Sequence, residues 1–268
     1  MLTSVNNERV KLVEKLQNQR KTREKEGRFV IEGARLVEEA LLSGAAFDFV
    51  FYSNPDPRAQ TILDKLTKKR VVALEVSSSV MRACADTEHP QSLLAVLPLP
   101  NLHVEHPTAG NKRLDALRED LLLICDRISD PGNLGTLLRT AAAARVDAAI
   151  LAPDCVDAFN PKVVRSAMGA HFRILIESLE WDDIGKRVKG LKIWLAEAGE
   201  GKRYDEVDWT KPSAIIIGGE AEGPSAEGRA LAQDSVYIPM PGGSESLNAA
   251  VAGSVILFEA VRQLLSPR

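Results

Sequence analysis

Unbroken apolar runs in the second half of the chain constrain its fold more than any other feature. From residue 120 onward six short runs show no alternation of apolar and polar residues: LLLIC, DAAIL, FRILI, KIWLA, AIIIG and SVYIPM. Strands that are buried on both faces have this pattern, because helices cover both sides of a parallel sheet. Helical stretches are predicted between or after most of these runs, at 133–144, 161–169, 181–189, 225–232 and 246–265. The pattern therefore predicts an α/β domain with a parallel sheet and helices on both faces.

The first part of the chain predicts a smaller α/β unit. A polar helix over residues 6–26 precedes four apolar runs that amphipathic stretches separate: RFVIE, FDFVFYS, RVVALEV and SLLAVLP. A polar segment with several prolines follows, and its composition is typical of a linker. We divide the 268 residues into an N-terminal domain (1–98), a linker (99–118) and a C-terminal domain (119–268).

Composition narrows the class of protein. No apolar run approaches the ~18 residues of a membrane helix, and the polar N-terminus lacks the apolar region of a signal peptide. We therefore expect no membrane partner and a cytoplasmic or organelle-matrix location. The 3 cysteines and 4 histidines are scattered, without the spacing of metal ligands, so we predict reduced thiols and no metal site.

The net charge of -3 hides a basic segment near the N-terminus. Eight basic residues and three acidic residues lie between positions 9 and 28. Such a cluster can follow a phosphate backbone, and we assign RNA contacts there to Arg20, Lys21, Arg23 and Arg28. The alternative is a solvated helix face in which Glu and Lys alternate for solubility.

Three loops with glycine and polar residues follow predicted strands of the C-terminal domain. They are DRISDPGNLGTLLR, IIIGGEAEGPS and IPMPGGSESLNAAVAG. Open α/β sheets bind their ligands at the carboxyl ends of strands, so these loops are candidates for one site. None of them contains G-x-G-x-x-G or the P-loop pattern, which argues against a nucleotide phosphate as the ligand.

In their order along the chain, NLGTLLR, IIIGGEAEG and IPMPGGSESLNAAVA resemble the signature motifs of the SpoU family of RNA ribose 2'-O-methyltransferases, in the SPOUT superfamily. The resemblance covers about residues 119–265. In addition, FVIEGARLVEEAL looks like the start of the small RNA-binding domain that many members carry. The resemblance implies a C-terminal parallel-sheet domain with a deep trefoil knot, a small N-terminal α/β RNA-binding domain, and S-adenosylmethionine as the cofactor. It also implies a homodimer that forms through the knotted domain, commonly through the last helix.

The resemblance implies a site residue by residue. Catalytic roles fall on Asn133, Arg139, Glu220, Ser246 and Asn248. Cofactor contacts fall on Ala196, Gly218, Gly219, Glu220, Ile238, Pro239, Met240, Leu247, Asn248 and Ala249. The glycines at 218 and 219 are expected to admit a ligand close to the backbone, and those at 242 and 243 to permit a tight turn.

Arg139 is also assigned to RNA binding, and we expect it to engage the target phosphate and hydroxyl. A guanidinium is a poor base, so positioning and charge stabilisation are the roles that we predict for it. Arg139 lies six positions after Asn133, about 240° around a helix, so the two side chains share no helix face. They would converge only if Asn133 belonged to the preceding turn.

We therefore predict methylation of a ribose 2'-hydroxyl in structured RNA, with ribosomal RNA preferred because an added N-terminal domain can hold RNA away from the target nucleotide. The alternatives are a transfer RNA 2'-O-methyltransferase and a non-catalytic RNA-binding relative. A nucleotide-dependent oxidoreductase would need the dinucleotide fingerprint that is missing. The sequence does not name the modified nucleotide.

Overall fold

The apolar runs form two β-sheets, one in each of two units of the chain. The structure is a computed structural model that describes residues 1–100, 121–199, 201–220 and 222–265. One unit comprises Met1–Asn101 with Phe159–Phe172, and the other comprises Leu102–Ala158 with Arg173–Arg268. The predicted linker, residues 99–118, lies outside the described residues from position 101 onward. Within the described residues, no helix is long and apolar enough to cross a membrane.

The first unit has a four-stranded sheet in the order β1-β4-β2-β3. Its strands are β1 (Arg28–Glu32), β2 (Phe49–Tyr52), β3 (Val72–Glu75) and β4 (Leu93–Pro98), and its helices are α1 (Glu8–Asn18), α2 (Arg20–Glu26), α3 (Ala34–Leu42), α4 (Pro57–Lys68) and α5 (Ser78–Cys84). Alternate strand residues point to opposite faces. One face packs on α3 and α4, and the other packs on α1 and α5.

The predicted polar helix over residues 6–26 is divided at Gln19, which has extended backbone angles of φ -131 and ψ 111. The Arg23 guanidinium folds back across this break, and its Nη1 donates to the Leu16 and Gln17 carbonyl oxygens at 2.5 and 3.3 Å. The last carbonyls of a helix need hydrogen-bond donors, and Arg23 is the donor to these two. The divided helix is thus held by a basic side chain that is buried.

The second unit has a seven-stranded sheet in the order β7-β6-β5-β10-β8-β11-β9. Every strand pair in it is parallel, which confirms the predicted parallel sheet. The strands are β5 (Leu121–Asp126), β6 (Ala148–Leu151), β7 (Leu175–Ser178), β8 (Lys192–Ala196), β9 (Lys202–Arg203), β10 (Ser213–Gly218) and β11 (Asp234–Tyr237). The helices of this unit are α6 (Pro131–Ala143), α8 (Trp181–Arg187), α9 (Ala226–Leu231) and α10 (Ala249–Leu265). The two-residue β9 was not predicted, because both of its residues are exposed and polar.

Helix α7 (Pro161–Ala167) belongs to the first unit, although the sequence-based division kept residues 119–268 together. Its Val164 is part of the core beside α3 and α4. The Phe159 ring meets the Phe29 ring edge-on, with 5.1 Å between centroids. Apolar side chains therefore place this segment on β1 of the N-terminal sheet.

Helices α6 and α10 pack closely because a glycine lies at their contact. A Cβ atom at Gly253 would stand 2.5 Å from Leu137 Cδ2, so the Leu137 side chain would have to move to admit a larger residue. The Thr140 and Ser254 hydroxyls are 2.9 Å apart in the same interface. This contact sets the start of α10 beside the start of α6, where the candidate site lies.

Candidate active site

The carboxyl ends of β8 and β10 and the loop that follows β11 surround a cavity of about 530 Å³. Nine of the ten predicted cofactor residues line it: Ala196, Gly218, Gly219, Glu220, Ile238, Met240, Leu247, Asn248 and Ala249. Pro239 is exposed and is not among the residues that line the cavity. Three stretches that are far apart in sequence thus meet at one site, as ligand loops of an open α/β sheet do.

A chain of hydrogen bonds joins three predicted catalytic side chains beside this cavity. Asn133 Nδ2 donates to Glu220 Oε1, and Asn248 Nδ2 donates to Asn133 Oδ1 at 3.0 Å. Asn248 Oδ1 in turn accepts the first free N–H groups of α10, from Ala250 at 3.0 Å and Val251 at 3.2 Å. Because the helix start needs an acceptor, the orientation of both amides is fixed. The chain ends on the Glu220 carboxylate, which accepts.

Asn133 does not belong to the turn before the helix, which was the condition for its convergence with Arg139. Helix α6 begins at Pro131, and Asp130 caps it by accepting the Asn133 N–H at 2.8 Å, so Asn133 is already helical. Arg139 therefore lies about 240° away around the helix. It is exposed, and no contact of the described residues joins it to Glu220. Arg139 does not converge with Asn133 within one chain.

Ser246 lines the cavity from the loop between β11 and α10, and it is exposed. The same loop turns at Gly243, which has φ +77 and donates its N–H to the Met240 carbonyl at 3.0 Å. A residue with a side chain would be strained at this φ, so the glycine is needed for the turn. The predicted role of Gly243 in a tight turn is confirmed.

In the structure, Gly218 and Gly219 are required for a reason other than the predicted approach of a ligand to the backbone. A Cβ atom at Gly218 would lie 2.5 Å from the Pro224 nitrogen, and one at Gly219 would lie 2.2 Å from the Arg127 carbonyl oxygen. Both glycines thus allow the chain to pass close to itself. They admit the loop that carries Glu220, in addition to lining the cavity.

A second anchor of this loop is Asp126, the last residue of β5, whose side chain is buried. Its Oδ2 accepts the Ser225 N–H at 2.7 Å and the Ser225 hydroxyl at 2.9 Å. Ser225 Oγ also accepts the Gly228 N–H at 3.0 Å and so caps α9. The Ser225 end of this loop is therefore hydrogen-bonded to the end of β5, and its Gly219 end passes close to Arg127, the next residue.

Sequence reasoning missed several residues that line the cavity, most notably Glu197 and Arg229. Glu197 directly follows the predicted strand KIWLA, so its place at a strand end was a signal that could have been used. Arg229 lies on the short helix α9, outside the three loops. Its proximity to Glu197 depends on the tertiary fold alone.

The residues predicted to bind RNA in the first unit differ in exposure. Arg23 is only 4% exposed, and its bonds to helix carbonyls leave it a structural role, which corrects its assignment to RNA. Arg20 is exposed and pairs with Glu24 at 2.7 Å, while Arg28 pairs with Asp48 at 2.5 Å. Lys21 is exposed on α2.

None of the three cysteines is among the described residues that line the cavity. Burial raises the pKa of Cys84 to about 12 and that of Cys155 to about 11. Burial also raises the pKa of Cys125 well above its usual range. All three thiols are therefore protonated at neutral pH and poor nucleophiles. Among the described residues, no three His, Cys, Asp or Glu side chains are grouped so that they could hold a metal ion.

Comparison with known proteins identifies the family. Residues 120–258 match the SpoU rRNA Methylase family. The chain belongs to this family. Residues 7–95 match the MRM3-like substrate binding domain, which agrees with the predicted N-terminal RNA-binding domain. The resemblance that the three loops carry is confirmed.

Relatives of this SpoU protein match it over nearly its whole length. The 23S rRNA (guanosine(2553)-2'-O)-methyltransferase RlmP of Bacillus subtilis is 32% identical, over 96% of this chain and 97% of the relative. The mitochondrial rRNA methyltransferase 3A of Danio rerio is 34% identical, over 96% of this chain and 69% of the relative. Both are named as methyltransferases of ribosomal RNA.

Solved structures confirm the fold class. The AdoMet-bound rRNA methyltransferase from Sinorhizobium meliloti is 31% identical and superposes with a TM-score of 0.82, covering 99% of this chain and 98% of the other. The SpoU methyltransferase AviRb from Streptomyces viridochromogenes, in complex with AdoMet, is 26% identical with a TM-score of 0.80, over 96% and 98% of the two chains. The α/β fold with a parallel-sheet SPOUT domain is therefore that of known methyltransferases.

Proposed function

We propose that the protein transfers the methyl group of S-adenosylmethionine to a ribose 2'-hydroxyl of ribosomal RNA. The observation that carries this proposal is the hydrogen-bonded chain from Asn248 through Asn133 to Glu220, which opens on the cavity. The names of the relatives support ribosomal RNA as the substrate. Transfer RNA is the alternative substrate.

The cavity suits S-adenosylmethionine by size and chemistry. Its volume of about 530 Å³ is within the ~300–1,000 Å³ of ligand pockets. Apolar side chains suited to an adenosine group line part of it: Ile217, Ile238, Met240, Leu247 and Ile256. The carboxylate of Glu220 favours a ligand that carries positive charge. The predicted cofactor residues fit this ligand, and Ala196, Gly218 and Ala249 leave room for it.

The cofactor, when bound, would supply an electrophilic methyl group, and its sulfur would keep the electron pair of the broken sulfur–methyl bond in a neutral thioether product. The chain's own residues must orient the ribose hydroxyl and take up its proton. Glu220 is held by Asn133, so its carboxylate presents a fixed acceptor at the cavity edge. We assign to Glu220 the acceptance of the hydroxyl hydrogen bond, and of the proton as the new C–O bond forms. Ser246 and Asn248 position the ribose from the opposite loop.

Arg139 is the remaining predicted catalytic residue, and its exposed position suits the RNA phosphate. A guanidinium binds phosphate oxygens in bidentate fashion and stays charged at neutral pH. We therefore retain Arg139 as a positioning residue for RNA and assign it no part in proton transfer.

Homodimerisation through the C-terminal domain is part of the proposal. Helix α10 exposes three large apolar side chains seven positions apart, Val251 at 46%, Phe258 at 49% and Leu265 at 61%. Residues at this spacing lie on one face of a helix. A second copy of this chain would cover the stripe, and the resemblance supports that occupant. Sedimentation of a Phe258→Glu variant as a monomer is the expected result.

The N-terminal domain, residues 1–98, is proposed to hold RNA away from the target nucleotide, and the match to a substrate binding domain supports this role. The C-terminal domain, residues 119–268, would then carry the reaction. We place the protein in the cytoplasm or an organelle matrix, where ribosomal RNA is modified.

The test is methyl transfer from labelled S-adenosylmethionine to unmodified ribosomal RNA and, separately, to transfer RNA. Label on ribosomal RNA that maps to a ribose 2'-oxygen and is lost in Asn133→Ala is the expected result. Label on transfer RNA alone would establish the alternative substrate. RNA binding without label and without cofactor binding would identify a non-catalytic relative.

A further inference from the structure

A charged pair at the cavity has no place in the mechanism above. Arg229 of α9 donates through Nη1 to Glu197 Oε1, at the end of β8, and both residues line the cavity. The side chain of Glu197 is 20% exposed and that of Arg229 is 50% exposed. The pair is thus accessible from the space that the cofactor would occupy.

The guanidinium also reaches the loop that carries Glu220. Gly223 has φ +67, and a Cβ atom built there would lie 3.9 Å from Arg229 Nη2. Arg229 therefore lies between the end of β8 and the loop after β10, which form two edges of the cavity. A ligand group that binds here would contact both edges at once.

Among the described lining residues, the one charged side chain outside this pair already has a role in the reaction. Among the described lining residues, the charged side chains are Glu197, Glu220 and Arg229. Glu220 accepts from Asn133 on the side of the reaction. Glu197 and Arg229 thus form a separate pair of opposite charges beside a largely apolar lining.

The cofactor carries a matching pair of charges. The amino-acid end of S-adenosylmethionine has an ammonium and a carboxylate on one carbon, and each loses hydration when it enters a pocket. We propose that Glu197 and Arg229 hold this amino-acid end, with Arg229 binding the carboxylate and Glu197 the ammonium. The inference rests on the proposed function, since it assumes that this cavity takes S-adenosylmethionine. It adds two specificity-determining residues to that site.

A purely structural role predicts different behaviour. An ion pair between β8 and α9 would stabilise the fold whichever residue carried which charge. A binding role depends on the direction of the pair, because an inverted pair faces the ammonium with a cation and the carboxylate with an anion. The exchange Glu197→Arg with Arg229→Glu separates the two roles.

The experiment measures binding to the full chain by calorimetry with three probes: S-adenosylmethionine, S-adenosylhomocysteine and 5'-methylthioadenosine. The last two share the adenosine and a neutral sulfur, but only S-adenosylhomocysteine has the amino-acid end. Arg229→Gln is expected to weaken S-adenosylhomocysteine binding about tenfold, the scale of one charge-assisted hydrogen bond, while 5'-methylthioadenosine binding stays within about twofold. The doubly exchanged variant is expected to unfold near the wild-type temperature and to bind S-adenosylhomocysteine no better than Arg229→Gln.

Two results would overturn the inference. If Arg229→Gln weakened the binding of S-adenosylhomocysteine and of 5'-methylthioadenosine equally, the pair would only shape the cavity. Full S-adenosylhomocysteine affinity in either variant would mean that the pair makes no contact with the amino-acid end. Wild-type protein that binds none of the probes would instead overturn the proposed function along with it.

Discussion

The loops of the C-terminal unit and the basic segment of the N-terminal unit were both predicted functional, but on different grounds. The loops were chosen because residue types and order matched a chemistry, and Asn133, Glu220 and Asn248 do meet in one hydrogen-bonded chain. The basic segment was chosen on charge alone. One of its four assigned residues, Arg23, is buried and holds two helices together.

The difference shows what each kind of signal contains. A motif specifies several side chains that must converge. Such side chains rarely meet at one site of a structure by chance. A count of charges does not say which side chains face solvent, since an arginine can satisfy helix carbonyls as well as phosphates. The solvent exposure of a charged side chain must therefore be known before that side chain is assigned to a ligand.

The prediction with the largest expected effect tests the loops of the C-terminal unit, whose side chains converge. Asn133→Ala removes the amide that links Asn248 to Glu220, so the carboxylate loses its fixed orientation. We expect kcat to fall about 100-fold, with S-adenosylmethionine affinity within about twofold of wild type. Single-turnover methylation and calorimetry measure the two quantities. Thr136→Ala, an exposed change on the same helix, is the control, and a loss of activity there as large as in Asn133→Ala would break the comparison.

The second prediction tests the buried arginine. Arg23→Met leaves the Leu16 and Gln17 carbonyls without their donor, so we expect the free energy of unfolding to fall by about 2 kcal/mol. Lys21→Met, two positions earlier and exposed, is the matched control and should leave stability unchanged. Urea unfolding compares the two variants. Weaker RNA binding in Arg23→Met with unchanged stability would return Arg23 to the RNA surface.

The sequence was sufficient for the parallel sheet, because strands buried on both faces need unbroken apolar runs. It was also sufficient for the family, and nine of the ten residues predicted to contact the cofactor line the cavity, since the motifs fix local spacing. The helix was predicted to start at Asn133, with its place in the preceding turn left open, whereas α6 begins two residues earlier, at Pro131. Proline is favoured in the first turn of a helix, and with the Asp130 cap it starts α6 there.

Contacts that depend on tertiary packing were beyond the sequence. The pairing of Glu197 with Arg229 joins a strand end to a helix that no motif includes. The association of α7 with the N-terminal sheet depends on Phe159 and Val164, whose apolar character fits either unit equally well. Such choices are decided by shape complementarity, which composition and periodicity do not record.

The third prediction tests the exposed part of the basic segment. The double change Arg20→Gln and Lys21→Gln should weaken RNA binding about fivefold and reduce the salt slope by about 2, if each residue neutralises one phosphate. Lys68→Gln with Lys69→Gln, at the end of α4, which packs on the sheet face opposite to α1, is the matched control. Titrations of RNA at several salt concentrations measure the slope. An equal loss in both double variants would mean that the field of the whole unit, and no particular face, attracts RNA.

The prediction with the smallest expected effect compares two ion pairs, one with a buried carboxylate and one with an exposed carboxylate. Arg262 pairs with Glu259 at 2.7 Å, and Arg20 pairs with Glu24 at 2.7 Å, but Glu259 is 8% exposed while the Glu24 side chain is 56% exposed. The Arg262 guanidinium lowers the pKa of Glu259 below its ordinary value. Glu259 therefore stabilises the fold above its unfolded-state pKa, and the contribution is lost as pH falls through the lower folded-state value.

Glu259→Gln should thus cost about 0.5 kcal/mol at pH 7, since Arg262 is largely solvated, and less at pH 3. Glu24→Gln should cost nothing measurable at either pH. Thermal unfolding of the two variants at both pH values makes the comparison. The same loss at pH 3 as at pH 7 would assign the effect of Glu259 to its hydrogen bond with Gln263, which an amide can replace only in part, and would remove its charge from the stability of α10.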